Sequence, residues 1–199
     1  MKHLKLSLLL VALLVATSAS ARVSIGLHGG ANVSGMSGMI LYGTPTTPIV
    51  GLNGGVLADF GITHTVGIRS GVHFTRKGAR HERGPLDYVF RLTYLQVPVH
   101  FAYKIDVTQD ARIVLHGGPY MAYGIQGREV RNGHPLPDNL IGQGGRFNPF
   151  DFGLGIGVGL VYGHFITGIG WDMGLQNISR RSGITARTQN TFLTVGFLF

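Results

Sequence analysis

The sequence predicts an all-β fold, an eight-stranded antiparallel up-and-down transmembrane β-barrel with short periplasmic turns and long extracellular loops. Three observations predict it. Apolar residues alternate with polar residues or glycine in eight segments of strand length. The connections between these segments are alternately long and short. Charged residues make up only 13% of the chain, about half of what a soluble domain carries, so much of the surface is expected to face lipid.

The N-terminus has the features of a secretory signal peptide. Lys2 and Lys5 form a basic start, an apolar run follows over 6–16, and small residues at 19–21 match a cleavage site. We therefore predict that the first 21 residues are a signal peptide (1–21) and that 22–199 forms one barrel domain.

The rest of the chain excludes several other classes of protein. It contains no cysteine, which rules out disulfide bonds, thiolate metal sites and a lipoprotein anchor. After the predicted signal peptide, no apolar run approaches the ~20 residues of a membrane-spanning helix. Entry into a membrane is therefore expected to use strands.

Each predicted strand has at least the ~9–11 residues that a tilted strand needs to cross a bilayer. In chain order the segments are 23–34, 52–62, 65–77, 89–104, 112–126, 150–162, 165–176 and 190–199. Their connections are about 17, 2, 11, 7, 23, 2 and 13 residues long. Outer-membrane barrels have short periplasmic turns and long external loops, whereas a soluble barrel has no reason to alternate them.

The two faces of the strands predict which side meets lipid. In chain order the apolar faces include Ile68 and Phe74, Val97 and Phe101, Ile169 and Trp171, and Leu193 and Phe197. The opposite faces carry charge and glycine, including Arg69 and His73, Gln96 and His100, and Asp172 and Gln176. A soluble barrel keeps its apolar face inside, so this pattern predicts an apolar exterior and a polar interior.

Aromatic residues predict two girdles at the membrane interfaces. We expect one girdle near the short turns, formed by Phe60, Phe101, Tyr103, Tyr162, Phe165, Phe197 and Phe199. The other is expected near the long loops, formed by Phe74, Phe90, Tyr123 and Phe152.

The sixth segment contains a strict glycine alternation, DFGLGIGVGLVYG at 151–163. A dinucleotide fingerprint, G-x-G-x-x-G, would need a third glycine where Val158, Leu160 or Tyr162 stands. Glycine in a strand costs ~0.5–1 kcal/mol relative to alanine, so the run is expected to provide space. We predict a bare wall against which larger inward groups fit; the glycines are Gly153, Gly155, Gly157, Gly159, Gly168, Gly170 and Gly174, and the large groups are Arg69, His73, Tyr94 and His100.

The inward polar residues predict a network that fills the lumen, since eight strands leave an interior that side chains can fill. The candidate members are Asp59, Arg69, His73, His100, His116 and Asp172. Folding the second and third segments about residue 64 places Asp59 opposite Arg69 as an ion pair. Folding the next hairpin about residue 108 places His100 opposite His116. Two histidines fall short of the three or four ligands of a metal site, so no metal or other cofactor is expected.

Two prolines interrupt neighbouring strands. Pro98 and Pro119 cannot donate to the sheet ladder, and a closed barrel has no edge on which to place them. We expect a β-bulge or a local loss of pairing where they meet.

Basic residues concentrate on the long-loop side. The candidate basic rim consists of Arg76, Lys77, Arg80, Arg83, Arg128, Arg131, Arg180 and Arg181, with Arg91, Arg146 and Arg187 on the same side. Such a rim suits the phosphates and acidic sugars of lipopolysaccharide. Nucleic acid is not expected as a partner because the charges lie in separate loops without a binding fold.

Several stretches resemble an outer-membrane β-barrel family that is common in Bacteroidota, whose members are called porin-family or PorT-like proteins. They are SIGLHGGANVSGMSG (24–38), RLTYLQVPVHFAYK (91–104), LHGGPYMAYGIQG (115–127), NPFDFGLGIGVGL (148–160), GIGWDMGLQNIS (168–179) and FLTVGFLF (192–199). The resemblance implies a cell outer-membrane location. It also implies that the aromatic Phe199 is recognised by the barrel-assembly machinery, and it supplies no catalytic residues.

We therefore expect a monomeric barrel with a filled polar lumen and an envelope-structural, surface-binding or accessory assembly or secretion role. A narrow porin for small solutes is the first alternative and a lipid-modifying enzyme the second. The enzyme is disfavoured because lipid hydrolysis needs a lipid-facing serine or histidine cluster, whereas the strand histidines are predicted to point inward. A soluble ligand-binding barrel is the last alternative.

Overall fold

The computed structural model describes residues 22–41, 44–83, 85–142 and 144–199, so the predicted signal peptide lies outside the described residues. Within these ranges the structure contains strands and no helix that is long and apolar enough to cross a membrane. The strands are β1 (Arg22–Ser37), β2 (Ile40–Leu41), β3 (Thr44–Pro45), β4 (Ile49–Gly61), β5 (Val66–Arg83), β6 (Leu86–Asp106), β7 (Ala111–Arg131), β8 (His134–Asn139), β9 (Phe150–Tyr162), β10 (Phe165–Gly174) and β11 (Arg187–Leu198).

Eight of these strands close into an antiparallel barrel. Each of β1, β4, β5, β6, β7, β9, β10 and β11 pairs with the next one in the chain, and β11 pairs back onto β1 from Gly26↔Leu198 to Ser37↔Arg187. At one end the strands are joined by the turns at 62–65, 107–110 and 163–164, which we call the short-turn end. The opposite end is called the long-loop end. The predicted eight-stranded up-and-down barrel is confirmed.

The exterior is apolar and the interior is polar, as the alternation predicts. Large apolar side chains remain exposed on the outer wall, for example Phe101 at 53% and Ile156 at 59%. Charged residues such as Asp59 and Asp172 are buried inside. The outward apolar surface therefore matches a lipid environment.

The strands at the long-loop end are longer than the sequence predicts. The predicted loop over 78–88 is instead the tip of a hairpin, because β5 and β6 stay paired up to Arg83↔Leu86. The predicted loop over 127–149 contains the end of β7 and the edge strand β8. These strand segments lie beyond the membrane, so neither of their faces has to be apolar. The apolar face from which the other strands were predicted is therefore missing here.

The predicted perturbation at the prolines takes the form of lost pairing. In this described region, the β6–β7 ladder passes from Pro98↔Tyr120 directly to Phe101↔Gly117, skipping Pro119. The β5–β6 ladder likewise passes from Ser70↔Val99 directly to His73↔Gln96, skipping Pro98. Gly71, which faces Pro98, has φ 150°, and a Cβ there would lie 2.1 Å from Val56 O. The β-bulge lies elsewhere, at the register shift between Thr93 and Tyr94.

An apolar cluster closes the long-loop end of the barrel. We call it the apolar plug; its buried residues are Met36, Met39, Ala79, Phe90, Leu92, Tyr94, Tyr120, Ala122, Leu140, Ile141, Phe147, Ile178 and Ala186. The upper strands and the long connections both contribute to it. Phe90 was predicted for the outer aromatic girdle, but that prediction is wrong, since only 4% of it is exposed. The β6 register turns Phe90 inward, where the folded connections cover it.

Candidate functional site

The lumen is built in layers because inward residues recur every second position along each strand. On β5, Arg69, His73 and Lys77 point inward in succession from the short-turn end to the long-loop end. The corresponding order on β6 is Lys104 and then His100. Each layer therefore receives large polar side chains from several strands.

The layer nearest the short turns is a three-membered charge cluster. Arg69 Nη2 donates to Asp59 Oδ2 at 3.1 Å, with both side chains less than a tenth exposed. The Nζ of Lys104 donates to the other oxygen, Asp59 Oδ1. One buried carboxylate thus balances the buried Arg69 and the partly buried Lys104, as isolated buried charges would cost several kcal/mol. The sequence pattern pointed to the Asp59 and Arg69 pair, whereas the role of Lys104 was missed.

Four histidines occupy the next layer. His100 Nδ1 lies 3.0 Å from His116 Nδ1, with the rings stacked at 5.2 Å. His28 and His73 meet edge to face at 4.6 Å. The β6–β7 register pairs His116 with Ala102 rather than with His100, so the two rings meet across a diagonal and not through the direct pairing predicted.

A cavity of about 70 Å³ lies beside these histidines. Gln96 Nε2 donates to Asp172 Oδ2 at 3.0 Å on its wall. Several buried polar atoms that have no protein hydrogen-bond partner belong to its lining: His28 Nε2, His73 Nε2, His100 Nε2, Gln96 Oε1 and Asp172 Oδ1. A polar cavity of this size has room for a few ordered waters, which such atoms require.

Among the described residues, no three histidine, aspartate or glutamate side chains are arranged so that they could hold a metal ion. Within each pair the two histidine rings contact each other. His100 and His116 also face Gly155 and Gly157 of β9.

A buried lysine lies between this layer and the apolar plug. Lys77 Nζ is 3.6 Å from Asp151 Oδ2, and both side chains are almost fully buried. Asp151 Oδ2 also accepts a hydrogen bond from Thr188 Oγ1 at 2.7 Å. The ammonium lies over the Tyr120 ring at 4.5 Å, a cation–π distance. The prediction that Lys77 belongs to the basic rim is therefore wrong, because the β5 alternation turns it inward while the preceding Arg76 points outward.

The glycine run on β9 provides the predicted space. A Cβ at Gly157 would lie 2.7 Å from His116 Nε2, and one at Gly155 would lie 3.0 Å from His100 Nε2. At Gly153 a Cβ would lie 2.1 Å from Met173 O and 2.8 Å from the Tyr120 hydroxyl oxygen. Bulky side chains from β6 and β7 therefore fill the volume that side chains on β9 would need.

The other members of the basic rim lie at the long-loop end. The exposed ones are Arg76, Arg80, Arg128, Arg131, Arg180 and Arg181. The side chain of Arg83 lies outside the described set. Arg80 is held by Asp87 through two hydrogen bonds of 2.9 and 2.8 Å, so the rim is partly neutralised.

A second cavity, about 100 Å³ in volume, opens above the plug. Its polar wall centres on Glu129, which is buried and pairs with Arg146 at 2.6 Å and with Arg131 at 3.6 Å. Arg181 adds another cation, and Phe147 forms part of the apolar floor. The sequence pattern did not reveal this cavity, since it assembles from three connections that are distant in the chain.

A closed barrel with an apolar exterior and a charged, filled interior defines an integral outer-membrane protein of the small-barrel class. The chain belongs to the family described as "Outer membrane protein beta-barrel domain", whose model matches residues 16–180. It is therefore an outer-membrane protein, with the short-turn end periplasmic and the long-loop end extracellular. No curated protein sequence matches the chain.

Solved structures show the same fold at low sequence identity. The chain is similar to Neisserial surface protein A (NspA), with a TM-score of 0.51, 13% identity, and 90% of this chain and 99% of that chain covered. It is also similar to the outer membrane protein OprG from Pseudomonas aeruginosa, with a TM-score of 0.52, 12% identity, and 90% and 97% covered. These similarities extend to the fold alone.

Proposed function

We propose that the protein is a closed, non-conducting outer-membrane barrel that acts through its extracellular surface, in an envelope-structural or surface-binding role. The apolar plug is the observation that carries this proposal. Phe90, Leu140 and Phe147 are all at most 4% exposed, so the extracellular mouth is filled by side chains. Below them, the Lys77 and Asp59 layers add two further barriers to a solute.

The extracellular face supports a surface-binding role. The cavity above the plug combines the exposed cations Arg131 and Arg181 with the apolar side chains of Met39 and Phe147. A concave site with apolar walls and a few charged groups is typical of sites for small or extended ligands. Lipopolysaccharide is the proposed partner of the exposed rim arginines, because guanidinium groups bind phosphate through paired hydrogen bonds.

Conductance in planar bilayers tests the closed lumen. Purified, folded protein is expected to produce no discrete openings. A triple variant, Arg69→Ala with Tyr120→Ala and Phe147→Ala, removes one large side chain from each of these three barriers, and it is expected to conduct after its fold has been checked by heat-modifiable gel mobility. Discrete openings of the unmodified protein would refute the proposal.

A narrow porin is the second candidate, favoured by the cavity of about 70 Å³ beside the four histidines. It requires the plug and the Asp59 cluster to move together. Uptake of small sugars or amino acids by vesicles that contain the unmodified protein would favour this function over the closed barrel.

A further inference from the structure

Three exposed arginines lie on the outer wall of the barrel, just beyond the extracellular edge of its apolar band, on neighbouring strands. We call Arg76 of β5, Arg91 of β6 and Arg128 of β7 the wall arginines. They differ from the loop arginines of the rim because regular strand pairing fixes their backbone. The position of each is therefore set by the pairing of the barrel strands and not by the path of a connection.

The strand register brings the three side chains together. Arg91 pairs directly with Arg128 across the β6–β7 ladder, which places their Cβ atoms ~5 Å apart. Arg76 pairs with Thr93, two residues from Arg91 on the same face, a diagonal separation of ~7–8 Å. Like charges directly opposite each other destabilise a sheet unless an anion lies between them.

No carboxylate among the described side chains pairs with the wall arginines. The acidic groups at this end are used elsewhere: Asp87 holds Arg80 at 2.8 Å, and Glu129 is buried against Arg146. Three guanidinium groups without described acidic partners thus face outward over one patch of about two strand spacings. Such a patch is suited to bind a doubly charged phosphate group.

The patch begins where the apolar wall ends. Arg76 follows the exposed Phe74 by two residues on the same face, about 7 Å along the strand. Exposed aromatic rings of barrels lie at headgroup depth, so the wall arginines begin immediately above the hydrocarbon region. Lipid phosphates of the outer leaflet occupy that depth.

We propose that the wall arginines form a binding site for the phosphomonoester groups of lipid A, on the side of the barrel. This proposal rests on lipopolysaccharide as the proposed partner, and it specifies the phosphate groups of lipid A as the part that is bound. A phosphate lies between Arg91 and Arg128 and accepts hydrogen bonds from both, while Arg76 contributes from the diagonal position. The bound anion offsets the repulsion between the paired arginines.

Lipid A retention in nanodiscs tests the site. Folded protein is placed in phosphatidylcholine discs with a small fraction of lipid A, and the lipid A that remains with the protein is counted by native mass spectrometry. The Arg91→Gln/Arg128→Gln variant is expected to retain about tenfold less, equivalent to about 1.4 kcal/mol, since it removes the charged hydrogen-bond donors on both sides of the phosphate. Arg91→Lys/Arg128→Lys, which keeps the charge without the planar fork, is expected to fall between the two.

The control is Arg112→Gln/Arg187→Gln, which removes the same charge from Arg112 at the short-turn end and from the exposed Arg187 at the start of β11, neither of which belongs to the rim or to the cavity above the plug. It is expected to reduce retention by no more than about twofold. An equal loss in both glutamine variants would overturn the wall site and indicate diffuse attraction. Equal retention of dephosphorylated lipid A, or of phosphatidylglycerol in its place, by the unmodified protein would also overturn it. If the unmodified protein retains no lipid A, the proposed partner itself fails, whereas retention that the wall substitutions leave unchanged refutes only the wall site.

Discussion

The two cations that share Asp59 predict an asymmetry between substitutions in the same cluster. In Asp59→Asn the shape is kept but the only carboxylate described in contact with Arg69 and Lys104 is lost. The buried Arg69 and the partly buried Lys104 then face each other without a described counter-ion. Removing one partner of a buried ion pair costs about 3–5 kcal/mol, so we expect at least that loss in the free energy of unfolding.

The reverse substitution is expected to cost much less. Arg69→Met removes one cation and leaves Asp59 paired with Lys104, so the loss is a single charge-assisted hydrogen bond, about 1.5–3 kcal/mol. The difference of ~2 kcal/mol corresponds to a factor of about 30 in the folding equilibrium. Both variants alter the same site and share nearly the same unfolded state, so this difference in the free energy of unfolding reflects the folded barrel.

Urea unfolding in lipid vesicles measures both variants. The chain has a single tryptophan, Trp171, on the outer wall of β10, so its fluorescence reports transfer out of the bilayer. Asp106→Asn serves as a control, because Asp106 pairs with Arg112 at a partly exposed turn and is expected to cost at most about 1 kcal/mol. The reasoning is refuted if Asp59→Asn destabilises the barrel no more than Arg69→Met.

Two further predictions concern the packed interior. Gly153→Ala places a Cβ 2.1 Å from Met173 O and is expected to destabilise the barrel by about 1–3 kcal/mol. At Gly159 the nearest atom is 3.3 Å away, so the same substitution is expected to be near neutral, because the entropy gain of ~0.5–1 kcal/mol offsets the contact. Equal effects of the two substitutions in the same unfolding assay would contradict the role of the β9 glycines in providing space. Lys77 and Lys104 are the only lysines of the predicted mature chain and both point into the lumen, so an amine-reactive reagent followed by peptide mass spectrometry is expected to modify neither until the barrel is unfolded. Labelling of Lys77 in the folded protein would place it on the rim after all.

The fold could be predicted from the sequence because a membrane barrel leaves a simple physical trace. Each strand must be apolar toward lipid and polar or small toward the lumen, which gives a period of two that is visible without any tertiary contact. The same alternation assigned Arg69 to the interior and Phe101 to the exterior. The short turns fixed the pairing of Asp59 with Arg69, since a hairpin of four turn residues leaves little choice of register.

The prediction failed where the alternation no longer reports on lipid. Beyond the membrane, both faces of β5 and β6 can be polar, so the continuation of these strands to Arg83 and Leu86 left no signal. Lys77 was assigned to the rim from its neighbours in the chain, although the strand period places it inside.

Sequence alone determined the barrel, its strand number, the direction of its faces and the need for space along the glycine run, because these follow from local periodicity and from short turns. Only the tertiary structure decided what closes the barrel. Leu140, Phe147 and Ile178 lie in connections without periodicity, and their burial depends on how three distant loops fold over one mouth. The pairing of Arg91 with Arg128 likewise depends on a register that shifts between Thr93 and Tyr94, and the alternation of the sequence does not reveal such a shift.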